Sequence, residues 1–122
     1  MGSVTPFPLH GRKPSQIGPS APLRTCFDRA ELTRILDLYG RMVAAGHWRD
    51  YAIELGRDAA VFAAFRRAAE RPEFRIEKRP ELRGRQGMWA LVGEHGTVIK
   101  RGHELGPVLA PVERRLMKLV EE

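Results

Sequence analysis

The strongest constraint on the fold of this chain is a change in its hydrophobic period around Gly46. Before that glycine, apolar residues from Leu32 to Val43 recur every three or four positions, as in an amphipathic helix. After it, apolar and polar residues alternate from Tyr51 to Leu55, which is the period of a strand with one buried face. The pattern therefore predicts a helix that ends where a sheet begins.

The start of this helix has its own signal. Asp28 can accept hydrogen bonds as the N-cap, and Glu31, three residues later, completes a capping box. Gly46 is a typical residue just beyond a helix C-terminus. We therefore expect the helix to run from about Asp28 to Gly46.

Further strands are predicted between this helix and the C-terminus. Turn-forming residues separate four segments rich in apolar or alternating residues, and Gly93 to Gly96 is typical of a hairpin connection. With the strand near residues 51–55, they make about five, and the short connections favour an antiparallel meander. The four segments are 60–66, 73–79, 88–92 and 97–101.

An apolar stripe from Leu105 to Val120 predicts a C-terminal helix. Pro107 is acceptable only in its first turn, and Pro111 predicts that the helix is kinked or split there, because proline lacks an N–H and clashes with the preceding turn. The expected fold class is α+β: an N-terminal helix, an antiparallel meander sheet of about five strands, and a C-terminal helix.

The first 25 residues differ in composition from the rest. They contain five of the nine prolines, three basic residues and no acidic one, which predicts a flexible basic arm before a single domain at 26–122. The chain shows no apolar core of a secretory signal, no stretch long enough to span a membrane, and one cysteine. We expect a cytoplasmic protein without a membrane partner or a disulfide framework.

Basic residues are concentrated in the sheet region. The chain carries a net charge of +6, and residues 66–101 hold ten basic and five acidic side chains. One interpretation is a sheet face that binds single-stranded DNA or RNA, with arginines on phosphates and Trp89 or Tyr51 stacking on bases. The alternative is a solvated surface of compensating ion pairs. The candidate basic residues are Arg66, Arg67, Arg75, Lys78, Arg79, Arg83, Arg85, Lys100 and Arg101.

A second candidate surface lies at the junction between the first helix and the sheet. Trp48, Arg49, Asp50 and Tyr51 form the densest cluster of polar and aromatic residues. The cluster is either a pocket for a protein partner or a packed corner in which Trp48 covers the end of the core. Self-association or partner docking through this corner, or through an open sheet edge, is the alternative to nucleic-acid binding.

No residue pattern points to catalysis. All three serines lie in the predicted arm, no glycine-rich phosphate loop occurs, and the four histidines and Cys26 lack the spacing of a metal site. A lone cysteine at a helix start is more typical of a small core residue than of a nucleophile. We expect no enzymatic activity, no cofactor and no metal.

Several runs along the chain resemble a small uncharacterised family of alphaproteobacterial proteins, a domain of unknown function. The resemblance extends over about residues 26–120 and implies a bacterial cytoplasmic protein without indicating an activity. The runs include FDR at 27–29, LYGRMVAAG at 38–46, WRDYAI at 48–53, FRIEK at 74–78 and KRGH at 100–103.

Overall fold

A computed structural model describes residues 24–121, and its first element is helix α1 (Arg29–Ala44). The Asp28 carboxylate accepts the Glu31 backbone N–H at 2.8 Å, and the Glu31 carboxylate accepts the Asp28 N–H at the same distance. The predicted capping box is thus present. Gly46 follows the helix with a φ of +80°, a left-handed conformation that favours glycine.

Five strands form one antiparallel sheet in the order β1-β2-β3-β4-β5, which confirms the predicted α+β meander. Each strand pairs with the next one along the chain, so every connection is short. The strands are β1 (Asp50–Leu55), β2 (Ala60–Phe65), β3 (Phe74–Lys78), β4 (Trp89–Gly93) and β5 (Val98–Gly102).

One face of the sheet, called the inner face, carries the core. The strand register places Ile53, Phe62, Ile76 and Leu91 in one row across β1 to β4. Buried side chains of α1 and of the C-terminal helix pack with this row in a single cluster. Each large apolar side chain buried there contributes about 1.5–3 kcal/mol, so both helices are held on the same face.

The opposite face, called the outer face, carries smaller and more charged residues. In the part of the chain that the structure describes, no helix contributes to a cluster on it. Alternation along the strands and the register give its two complete rows. They are Glu54-Val61-Glu77-Ala90-Arg101 and Ala52-Ala63-Arg75-Val92-Val98.

Helix α2 (Leu105–Glu121) is continuous through Pro111, so the expected split does not occur. Pro107 lies in its first turn, as predicted, where an N–H has no helical acceptor. Buried side chains before and after Pro111, among them Val108 and Leu116, pack in the same core cluster. This shared packing holds both halves together despite the backbone hydrogen bond that proline removes.

The predicted arm, residues 1–25, lies outside the described residues except for its last two. Thr25 belongs to the domain, because its backbone N–H donates to the Gly56 carbonyl at 2.7 Å and its hydroxyl to the Arg57 carbonyl at 2.8 Å. Among the described residues, no helix combines the length and the apolar character needed to cross a membrane.

Candidate nucleic-acid interface

Five of the nine candidate basic residues lie in connections at the two ends of the sheet, and the other four lie on strands β3 and β5: Arg75, Lys78, Lys100 and Arg101. Arg66 and Arg67 lie in the connection from β2 to β3, at one end. Arg79, Arg83 and Arg85 lie at the other end, in residues 79–88, called the β3–β4 loop. Strand β3 separates these groups by roughly 17 Å at about 3.4 Å per residue. The sheet therefore does not carry one continuous row of arginines.

Lys78 and Trp89 face the core and not a ligand. The Lys78 ammonium donates to the Glu31 carboxylate at 2.6 Å and to the Cys26 carbonyl at 2.9 Å. The Trp89 ring is 2% exposed and stacks on Phe27, with ring centroids 6.1 Å apart. The roles expected for these two residues, phosphate binding and base stacking, have no support in this arrangement.

Tyr51 does not lie near the β3–β4 loop. It belongs to edge strand β1 and stacks on Phe62 on the inner face, with ring centroids 5.1 Å apart. Its register partner is Ala64, near the sheet end that carries Arg66 and Arg67. Tyr51 is partly exposed, but it cannot stack on a base that contacts the distant loop.

Several of the candidate arginines are compensated by carboxylates. Arg75 and Arg79 both reach Glu77 on the outer face, at 3.3 Å and 3.4 Å. Arg66 lies 3.5 Å from Glu94, across the sheet end. Arg66 and Glu94 are both partly exposed, so their pair contributes little to stability. All three pairs reduce the positive charge presented to a ligand.

The β3–β4 loop is ordered by its own hydrogen bonds. Its first residues form a short 3₁₀ helix, Pro80–Leu82. The backbone N–H groups of Arg85 and Gly87 both donate to the Leu82 carbonyl, at 3.1 Å and 3.0 Å. The Arg79 N–H donates to the Met88 carbonyl at 2.7 Å and closes the base of the loop. The arginine side chains of this loop therefore project from a defined backbone.

A contact with β5 holds the end of this loop. Gly87 has a φ of +111°, and a Cβ atom there would lie 2.5 Å from the carbonyl carbon of Gly102. Only glycine permits this approach of two backbones. Arg101 adds a side-chain bond to the Gly87 carbonyl at 3.4 Å. Arg101 is thus a positioning residue for the loop.

The loop arginines remain open to a ligand. Arg83 and Arg85 are exposed. Within residues 24–121, no carboxylate lies within 4 Å of the charged groups of Arg83, Arg85 or Arg101. Arg83 donates one guanidinium N–H to the Met88 sulfur at 3.7 Å, and Arg101 donates one to the Gly87 carbonyl. Their remaining donors, and those of Arg85, are available for a phosphate.

Trp48 forms a packed corner. Its side chain is 1% exposed, which leaves no surface for a partner, and its indole N–H donates to Glu73 at 2.8 Å. Arg49, Asp50 and Tyr51 are exposed around it. The acceptor of the buried indole is thus Glu73, 25 residues away in the chain.

Glu73 is the residue of this region that sequence reasoning missed. Its carboxylate is almost fully buried, with Nε2 of His47 at 2.9 Å and a guanidinium nitrogen of Arg115 at 3.2 Å in addition to the indole of Trp48. Glu73 directly precedes β3. It therefore links the start of this strand to the α1–β1 connection, through His47 and Trp48, and to α2, through Arg115. A glutamate between a proline and a strand carries no sequence signal for this role.

A metal centre has no counterpart in the described part of the chain. There, no three histidine, cysteine, aspartate or glutamate side chains are grouped so that they could hold an ion. Cys26 is exposed, contrary to the core position typical of a lone cysteine.

Comparison with known proteins gives one match. Residues 25–109 match the model of a family described as Protein of unknown function (DUF2794). The matched segment includes α1, all five strands and the first residues of α2. No curated protein and no solved structure matches.

Proposed function

Because the chain belongs to the DUF2794 family, whose function is unknown, we propose its function from its surface: a non-enzymatic accessory protein that binds nucleic acid through the β3–β4 loop. The observation that carries this proposal is the pair Arg83 and Arg85, exposed on a hydrogen-bonded loop with no described carboxylate within 4 Å of their charged groups. Exposed guanidinium groups of this kind bind phosphate oxygens through pairs of N–H donors, and they position a protein on a nucleic-acid backbone.

The defined loop backbone supports phosphate binding for an entropic reason. A long side chain loses conformational freedom when it binds, and a mobile backbone would add to that cost. The backbone N–H groups of Arg85 and Gly87 donate to the Leu82 carbonyl, and the Arg101 side chain donates to the Gly87 carbonyl. These hydrogen bonds fix the loop backbone before any ligand binds. Binding then orders the arginine side chains alone.

The predicted basic arm enters the domain at the same end of the sheet. Arg24 donates to the Leu55 carbonyl, at the end of β1. The register links Leu55 to Ala60 and Ala60 to Lys78, the residue before the β3–β4 loop begins. In this proposal the basic residues of the predicted arm, Arg12 and Lys13, add sequence-independent phosphate contacts.

The test is fluorescence anisotropy with labelled single-stranded DNA, single-stranded RNA and duplex DNA over a series of salt concentrations. The variant Arg83→Ala/Arg85→Ala should bind more weakly than the original chain. Its logarithmic salt slope should be smaller by about 1.4 on single strands, since each phosphate contact contributes about 0.7.

The matched control is Arg66→Ala/Arg67→Ala, which removes the same charge from the opposite end of the sheet. We expect it to leave the salt slope within experimental error. Equal losses in the two variants would show a general effect of net charge and would remove the loop from the proposal. No binding by the original chain at low salt would overturn it.

A further inference from the structure

Strand β5 forms one edge of the sheet, and no described strand pairs with its outward side. Val98 and Ile99, adjacent on this strand, are 46% and 45% exposed. On the neighbouring strand, Leu91 and Val92 are buried. Two large apolar side chains on an unpaired strand edge are a feature that soluble proteins usually avoid.

A bulge accounts for the position of Ile99. Leu91 pairs with Lys100 and Val92 with Val98, so Ile99 is an extra residue without a partner across the ladder. Bulges re-aim side chains at sheet edges. Val98, opposite Val92, lies on the outer face, whereas the Ile99 side chain lies beside Gly93, the register partner of Phe74, and therefore on the inner face.

The other edge of the sheet is different. Asp50 and Glu54 of β1 are exposed and acidic, while Ile53 and Leu55 are partly covered. The end of β1 is also occupied by Arg24, which donates to the Leu55 carbonyl. Charged side chains of this kind protect an edge from pairing. Tyr51, also on β1, is 39% exposed, but its ring stacks on Phe62 on the inner face. Of the two edges, β5 is the one with two adjacent exposed aliphatic side chains.

Lys100 supplies the charge of this edge. It is exposed, and within residues 24–121 no carboxylate lies within 4 Å of its ammonium group. Arg101, the next residue, bonds to Gly87 and braces the β3–β4 loop. Lys100 is thus the cation that β5 leaves available beside Val98 and Ile99.

We propose that the β5 edge binds an extended, acidic segment of a partner protein, which adds a sixth strand to the sheet. The main chain of β5 would bond to the incoming strand. Val98 would contact its apolar residues on the outer face, and Lys100, opposite Leu91 on the inner face, would pair with a carboxylate. A second copy joined through β5 fits less well, because antiparallel pairing of two β5 edges would bring their basic residues together.

This inference does not depend on nucleic-acid binding, because the β3–β4 loop and the β5 edge use different side chains. A ligand of the loop needs Arg83 and Arg85, whereas the segment on β5 needs the β5 main chain, Val98 and Lys100. Variants of one surface should therefore leave the other intact, and either proposal can fail alone.

The probe is a capped hexapeptide of alternating valine and glutamate, titrated into the ¹⁵N-labelled full-length chain and followed by amide chemical shifts. A peptide of alternating valine and lysine is its control. We expect the acidic peptide to shift the amides of β5. Lys100→Glu should weaken binding about tenfold, as should Val98→Lys, because each introduces a poorly matched side chain at the edge.

Two further variants separate this site from general attraction of an acidic peptide. Lys118→Glu makes the same charge change on α2, and Arg83→Ala/Arg85→Ala removes the loop cations; both should retain binding. Equal binding of the two peptides, shifts confined to other elements, or unchanged affinity in Lys100→Glu would each overturn the inference. Self-association lost in Lys100→Glu, seen by sedimentation, would also overturn it by making a second copy the occupant.

Discussion

Replacing Glu73, the least exposed carboxylate among residues 24–121, should destabilise the domain strongly. Its side chain is almost fully buried and accepts the Trp48 indole N–H, with His47 and Arg115 also within 3.2 Å. Glu73→Ala removes the acceptor and leaves the donors in place. An unpaired buried donor costs more than its hydrogen bond contributed.

The loss in free energy of unfolding depends on how well water can replace the Glu73 carboxylate as the acceptor for each of the three donors. Trp48 is 1% exposed, so its orphaned N–H costs about 1–3 kcal/mol. His47 is partly buried and loses a charged acceptor, while the half-exposed Arg115 can turn to solvent and adds little. The sum is about 3 kcal/mol for Glu73→Ala. Glu73→Gln keeps one oxygen for the indole and should cost about 1 kcal/mol.

Urea denaturation followed by circular dichroism measures these losses. With a slope of about 1.5 kcal/mol/M, Glu73→Ala should lower the midpoint by about 2 M. The matched control is Glu70→Ala, an exposed glutamate in the same connection between strands, which should change the free energy of unfolding by less than about 0.5 kcal/mol.

Two results would refute this reasoning. One is a loss below about 1 kcal/mol in Glu73→Ala, which would mean that water satisfies the indole. The other is a cost of Glu73→Ala that stays the same when Trp48 is first changed to Phe, since the two residues would then not be coupled.

Two other perturbations test the packing around the candidate surfaces. Burial raises the pKa of the Tyr39 hydroxyl above its ordinary value of about 10, so the folded state holds this proton more tightly than the unfolded chain. The free energy of unfolding should therefore fall as the pH rises through 10, and Tyr39→Phe should flatten that fall in urea titrations at several alkaline pH values. Gly87→Ala should cost about 2 kcal/mol and weaken nucleic-acid binding, because its Cβ would meet Gly102. Gly84→Ala, with open space around the new Cβ, should change neither measurement.

The fold could be predicted because its signals are local. The helix start depends on Asp28 and Glu31, which are three residues apart, and the strands on alternation within five or six residues. Short connections then leave the meander as the simplest order. The family resemblance is confirmed as well, over residues 25–109. Of the two alternatives predicted at Pro111, the split does not occur, because core packing on both sides keeps α2 continuous.

The exposed residues of the sheet could be predicted only in part, because the strand register decides which face of the sheet each side chain lies on. Lys78 and Trp89 belong to segments that look basic and apolar in sequence, yet both turn inward beside Glu31 and Phe27. The partner of Trp48 is 25 residues away in the chain. Neither contact is encoded by spacing within one element.

The charge of a segment is likewise a poor guide to the surface it creates. Arg75, Glu77 and Arg79 alternate along one strand direction, so period two already places them on one face, where they compensate each other. Arg83 and Arg85 form no ion pair with a described carboxylate, because they lie in the loop, beyond the last residue of β3. What distinguishes them is a backbone feature, the left-handed Gly87 that lets the loop fold against β5, and not the number of arginines nearby.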